Sequence, residues 1–217
     1  MVMTRIDRIT AQAGRVASGL AGTMIAALAL AGCTPQSPGM GAAIEKPAAG
    51  APDASAGPSL TSDGYGPLGV GMSLDKIARA FSPEGGGELI GRAGGDACLE
   101  GVPTGAPEGL RVMVENGKLT RVTLGEGATA RTSRGVGVGD PASAVEAAYG
   151  HRVVTDAARF DPAPAQVKTV WTRNGPTGRR PTADETARGL RFEIGADGII
   201  NTIHGGGRSI QYEEGCS

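Results

Sequence analysis

His151 and His204 are the only histidines in the chain, and neither has a Cys, Asp or Glu at the spacing of a metal site. The run His204-Gly205-Gly206-Gly207 has the form of an oxyanion loop, whose glycine N–H groups would stabilise a developing alkoxide. No GxSxG stands in the chain to supply the nucleophile, and a glycine turn ending a hairpin accounts for the run. Gly64-Tyr65-Gly66-Pro67-Leu68-Gly69 satisfies GxGxxG, yet no strand pattern precedes it, Pro67 interrupts it and no βαβ unit with a ribose-binding acid follows. His151 follows a helix stop, where it would face the helix C-terminus. The adjacent carboxylates Glu213 and Glu214 could hold calcium weakly, but read as a solvated pair after a last strand over Ser209 to Tyr212. A triad needs a base beside a nucleophile, and none is apparent. The reading therefore assigns no catalytic residue, no metal ligand and no cofactor.

The one concentration of positive charge is RNGPTGRRPTADETARG, residues 173 to 189, between two strand-like runs. Arg173, Arg179 and Arg180 make it a candidate partner-binding loop for lipid phosphate, a polysaccharide or an acidic protein surface. A solvated hairpin loop is the plainer account. Trp171 just before it is either an interface anchor or an ordinary core residue.

The N-terminus fixes the compartment. Residues 1 to 15 carry Arg5, Arg8 and Arg15 against Asp7, and residues 16 to 30 are uncharged, the layout of a secretory signal. Fifteen residues are short for a bilayer span, and the run lacks the polar stripe of a core helix. Leu30-Ala31-Gly32-Cys33 then resembles the lipobox of bacterial lipoprotein precursors. The resemblance implies a signal peptide over 1–32 and an acylated Cys33 as the first mature residue. Several acyl chains anchor stably where one does not. Thr34 in place of aspartate implies sorting to the outer membrane, with the inner membrane as the alternative, and a folded part in the periplasm. Cleavage removes Arg5, Arg8, Arg15 and Asp7, leaving 18 Lys+Arg against 21 Asp+Glu, a net charge of −3 without the basic footprint of a nucleic-acid binder. In that oxidising compartment Cys98 and Cys216 are left to pair as a disulfide, or to stay as two buried thiols.

The elements that must position these residues begin after a Pro/Ala/Gly-rich tether over 33–63, too poor in bulky apolar side chains to fold. Beyond it the chain nearly repeats. Leu68-Gly69-Val70-Gly71, Ile77 and Ala80-Phe81 match Val136-Gly137-Val138-Gly139, Val145 and Ala148-Tyr149 at an offset of 68. Leu110 to Val122 matches Leu190 to Ile203 at an offset that drifts from 80 to 81, through one inserted residue. The first match predicts a helix over 74–81, capped by Ser73, with Leu74, Ile77, Ala78 and Phe81 inward. Its counterpart has Asp140 as cap, Pro141 at the first helical position, Val145 and Tyr149 inward and Gly150 as the stop. Asn116-Gly117 and Asp197-Gly198 predict two-residue hairpin turns flanked by alternating apolar residues. The expected fold class is α+β: two tandem modules, 64–129 and 130–217, each with short helices packed on an antiparallel sheet.

The glycine-plus-helix openings, GVGMSLDKI and GVGVGDPASAV, are similar to those of small bacterial envelope modules in the beta-lactamase inhibitor protein group and of the small lipoprotein of the barrel-assembly machinery. That resemblance implies helices on an antiparallel sheet, used in tandem, with binding as the activity. The inhibitor group binds through an aromatic-rich sheet face, whereas this chain has seven aromatic residues in all, so no binding residue carries over. The resulting expectation is a lipid-anchored envelope protein that binds or scaffolds an envelope protein, anionic lipid or polysaccharide. The alternative is an envelope hydrolase with an unrecognised acid/base pair.

Overall fold

A computed structural model describes residues 57–82, 84, 87–94, 97–176 and 181–216. Cys33, Arg179 and Arg180 lie outside the described residues. The described chain is sheet-rich, with little helix. A small meander of β1 (Leu60–Thr61), β2 (Gly64–Tyr65) and β3 (Leu68–Gly69) leads into helix α1 (Leu74–Ala78). Strands β4 (Leu89–Gly94), β5 (Cys98–Pro103), β6 (Leu110–Glu115) and β7 (Lys118–Leu124) follow. Helix α2 (Ser143–Tyr149) then precedes β8 (Val153–Ala157), β9 (Gln166–Arg173), β10 (Arg188–Ile194) and β11 (Ile200–Gly206). Strands β4 to β11 form one antiparallel sheet in the order β4-β5-β6-β7-β11-β10-β9-β8, joined at its centre by β7 against β11.

Alternation along the strands produces this arrangement. Val112 and Val114 on β6, Leu119 and Val122 on β7, Phe192 and Ile194 on β10, and Ile200 and Ile203 on β11 are all buried, and with Ile77 of α1 and Val145 and Tyr149 of α2 they make one continuous core. Both helices therefore cover the same side of the sheet. Each helix start is tied to the turn of a following hairpin by the same three main-chain bonds. Gly71 N donates to Leu119 O, Leu119 N to Met72 O and Leu74 N to Gly117 O. Gly139 N donates to Ile200 O, Ile200 N to Asp140 O and Ala142 N to Gly198 O, offset by 68 residues at the helix and 81 at the hairpin. The extra residue is visible in the turns. Asn116 (φ 51°) and Gly117 (φ 72°) form a tight two-residue turn, whereas β10 and β11 are closed by a Gly195 N to Ile199 O bond with Gly198 (φ 79°) left-handed. The second turn is thus three residues long and not the expected two.

Several expectations are corrected. Helix α1 stops at Ala78 instead of residue 81, and its first residue Leu74 is exposed rather than inward. Ser73 makes no side-chain cap. Asp140 does not cap α2, which starts at Ser143; its carboxylate accepts from Gly137 N and from Arg131, whose guanidinium holds it below the ordinary aspartate pKa. Leu60, assigned to the tether, is fully buried and bonded to Arg131 and Ser133, so the fold begins before residue 64. The expected last strand over 209–212 is a 3-10 turn, Arg208–Gln211. The His204 glycine run is not a turn: Gly205 and Gly206 lie inside β11, where a Cβ would meet Thr61 O at 2.4 Å and Thr120 O at 2.3 Å respectively. Close backbone approach, from β1 on one side and β7 on the other, explains these glycines.

Candidate functional site: the sheet face opposite the helices

Directly opposed residues on antiparallel strands point to the same face, so the register itself builds the site. Arg111 opposes Thr123, Thr123 opposes His204, His204 opposes Arg191, Arg191 opposes Thr169 and Thr169 opposes Val154. On the other flank Ile90 opposes Val102, and the neighbouring pair Gly101–Val112 sets Val102 beside Arg111. This row runs across the whole sheet on the face away from α1 and α2. Its ends are apolar and its middle is charged. A parallel row two residues along runs Glu100, Met113, Arg121, Gly206, Gly189 and Trp171.

The middle is buried, although no helix covers it. The cover is the C-terminal segment. Ile210 is fully buried and sits over Gly189, where a Cβ would lie 2.9 Å from its Cδ1. Arg121 Nη1 donates to Ser209 O (3.1 Å) and Tyr212 O (3.0 Å), and its Nη2 pairs with Glu100. Arg191 Nη1 donates to Gln211 O at 3.4 Å and its Nη2 reaches Glu213 at 3.3 Å. Glu213 is therefore partnered, not simply solvated. Cys216 is bonded to Cys98 on β5, with Cα atoms 5.6 Å apart, which holds the end of the segment over the sheet. Between this segment and the Ile90–Val102 rim lies an open trough of about 470 Å³, floored by Thr123, Thr202 and His204 and walled by Glu213 and Glu214.

His204 is the centre of a hydrogen-bonded chain that joins three strands. Glu193 can only accept, so the Nε2–H donates to it (3.2 Å), and Nδ1 stands 2.9 Å from the Thr123 hydroxyl, which donates to it when the imidazole is neutral. Burial lowers the His204 pKa, and Arg121 and Arg191 add to that, outweighing the hydrogen bond and charge of Glu193. Burial alone would raise Glu193, but His204, Arg191 and Arg121 together bring it below the ordinary glutamate value. Threonine, imidazole and carboxylate in sequence have the order of a nucleophile, base and orienter. The geometry lacks the rest. Both β7 and β11 lie between two partner strands, so their amides serve the ladder and cannot form an oxyanion hole. What the chain does chemically is join β7, β11 and β10 and hold the trough floor rigid. Among the described residues no group of three or more His, Cys, Asp and Glu side chains is placed to hold a metal ion.

No family model matches the chain, and neither a curated protein nor a solved structure is significantly similar to it. The likeness to lipoproteins and inhibitor modules therefore rests on the sequence motifs. Of the residues singled out from sequence, Cys98 and Cys216 come together, and Glu213 joins the trough wall with Glu214. Arg173 is separate: its guanidinium pairs with Asp63 at 2.8 Å on the surface. His151 is exposed after α2. Trp171 is half-buried, lining a smaller cleft beside Ile210. Among the described residues no helix is long and apolar enough to cross a membrane. Sequence reasoning missed Thr123, Glu193, Arg121 and Arg191. Their only local signal is a polar residue at every second position of an otherwise apolar strand.

Proposed function

We propose that the protein is a lipid-anchored component of the bacterial cell envelope, held by Cys33 at the outer membrane, whose folded part binds a partner protein in the periplasm through the sheet face opposite the helices. One observation carries the binding surface. Of the five exposed large hydrophobic side chains among the described residues, Ile90, Val102, Val154 and Phe160 line the clefts of that face, and only Leu74 does not. Scattered surface hydrophobics need no explanation, but these stand at the two edges of one sheet face with the charged floor between them, which supports that face as the interaction surface. The reading as two tandem modules is supported by the matched hydrogen bonds at each helix start and by the recurrence of a helix followed by four strands. Joining the two sheets through β7 and β11 makes a surface wider than either half alone could offer, which gives the duplication a use.

The test is substitution on the two sides of the sheet. Ile90→Asp with Val102→Asp should abolish recovery of the partner crosslinked in cells, while Leu74→Asp on the helix side should leave it intact. The opposite pattern would refute the assignment. The anchor is tested separately: Cys33→Ala should end incorporation of labelled palmitate and release the chain from membranes.

A further inference from the structure

Strand β8 is an outer edge of the eight-stranded sheet and, among the described residues, pairs with β9 alone. Its register with β9 is unbroken, and the bond from Ala158 N to Ala165 O continues it, so the main-chain groups of Val154 and Asp156 face β9. Those of Thr155 and Ala157 therefore face outward, and with them the Val153 carbonyl, while the Val153 N–H is taken by Gly150 O. Another strand completes such a row of donors and acceptors. Natural edges are blunted by Lys, Pro or a bulge, and β8 has none of these. Val154 is 54% exposed, and Thr155, Asp156 and Ala157 are exposed with it. The opposite edge, β4, carries two glycines, which are poor strand formers.

Main-chain groups accept any extended backbone, and the side chains beside them choose which. Two copies of β8 can pair antiparallel about Val154, Thr155 or Asp156. Pairing about Val154 leaves only the bond from Thr155 N to Val153 O, once in each direction, because the Val153 N–H is already used. Pairing about Asp156 sets two carboxylates directly opposite each other, which is destabilising. Pairing about Thr155 makes two kinds of bond in each direction, Thr155 N to Thr155 O and Ala157 N to Val153 O, and it sets Asp156 across from Val154. Arg152, exposed at the start of the strand, then lies diagonal to Asp156 of the second copy, within reach of a long side chain. Neither Arg152 nor Asp156 is in an ion pair among the described residues. The exposed charges along this edge, Arg152, Asp156, Arg159 and Asp161, balance, so two copies meet without net repulsion.

We infer that β8 is a self-association edge, at which two copies of this chain pair antiparallel about Thr155 and join their sheets side by side. The contact is short, so the dimer is weak and depends on how concentrated the chain is. Pairing is sideways and leaves the face opposite the helices open; it does not rest on that face being the binding surface.

The register makes the test specific. Pairing about Thr155 brings its two Cα atoms to about 5.5 Å, inside the range of a disulfide, and leaves Val154 or Asp156 about 7–8 Å or more from its own copy, beyond it. Thr155→Cys, Val154→Cys and Asp156→Cys are each expressed as the full chain in the native cell, treated with a mild oxidant and separated without reductant, with the unsubstituted chain as the blank. Thr155→Cys should give a species of twice the chain's mass, at least about fivefold above either neighbour. Adding Ala157→Pro removes the outward bond from Ala157 without touching the β9 ladder and should lower that yield about tenfold. Hydrogen exchange checks the pairing with no substitution: the Thr155 and Ala157 amides should gain protection as the chain is concentrated, while Val154 and Asp156 are protected throughout. No two-chain species from Thr155→Cys, an equal yield from either neighbour, a yield that Ala157→Pro leaves unchanged, or exchange at Thr155 and Ala157 that ignores concentration overturns the inference.

Discussion

Replacing Cys98 and Cys216 by serine tests how the C-terminal segment is held. The two residues are 118 apart in sequence, and the loop-entropy relation gives about 4.9 kcal/mol at 25 °C for closing a loop of that length in the unfolded chain. A fold of this size loses roughly 2–4 °C of midpoint per kcal/mol, so thermal unfolding followed by circular dichroism should fall by about 10–20 °C relative to the oxidised chain. The effect should be local as well as global. Opening the bond leaves Ile210 over Gly189, the Arg121 and Arg191 contacts and the Gln211–Thr182 hydrogen bonds as ties on the segment up to Glu213, so hydrogen exchange should accelerate most over Tyr212 to Gly215, less over Arg208 to Gln211, and least in β6, β7, β10 and β11. A midpoint change below about 3 °C, or uniform loss of protection across the sheet, would refute the view that the bond latches a segment over a preformed face.

Three more outcomes follow from the packing. His204 is neutral in the fold because its pKa is depressed, whereas the unfolded chain binds a proton near pH 6.5. Its contribution is complete above pH 6.5 and is lost as pH falls from there toward the folded value, with a slope of up to about 1.4 kcal/mol per pH unit. Glu193, depressed below the ordinary glutamate value of about 4.5, adds its own loss only below that pH. Denaturant melts between pH 5 and 7 should thus show a slope that His204→Gln removes, and an unchanged slope would contradict the neutral assignment. Leu60→Ala should cost about 2–5 kcal/mol, as for any fully buried leucine, while Leu74→Ala should cost under about 1 kcal/mol; equal costs in urea melts would place β1 outside the fold. Gly205→Val should destabilise by at least about 2 kcal/mol, since even a Cβ there meets Thr61 O at 2.4 Å, and a neutral result would mean β1 is not seated on β11.

Local signals carried much of the fold. Val145, Tyr149 and Gly150 set the inward face and the end of α2 through helical spacing and a left-handed stop, and Asn116-Gly117 set a hairpin through backbone preference alone. The near-repeat located one inserted residue before the second turn, but the turn itself, expected to have two residues, has three. Long-range packing decided the rest. Leu74 has the spacing of a core residue, yet it stands exposed at the first residue of a helix that ends after five. Asp140 has the form of a cap, but Arg131 competes for its carboxylate. The candidate site was least legible because it exists only through register. Thr123 and His204 are 81 residues apart, and nothing near either announces that β7 and β11 adjoin. Each of its polar residues looks like one more solvent-facing position of a two-sided strand.

Site-specific photo-crosslinking in the native cell tests the central claim most directly, with the photoreactive residue placed in turn at Val102, Val154 and Lys76 of the full chain. Val102 and Val154 lie on the sheet face opposite the helices, and Lys76 is exposed on α1. The account predicts the same adduct from Val102 and Val154 and none from Lys76; an adduct from Lys76 with none from the two sheet positions would contradict it.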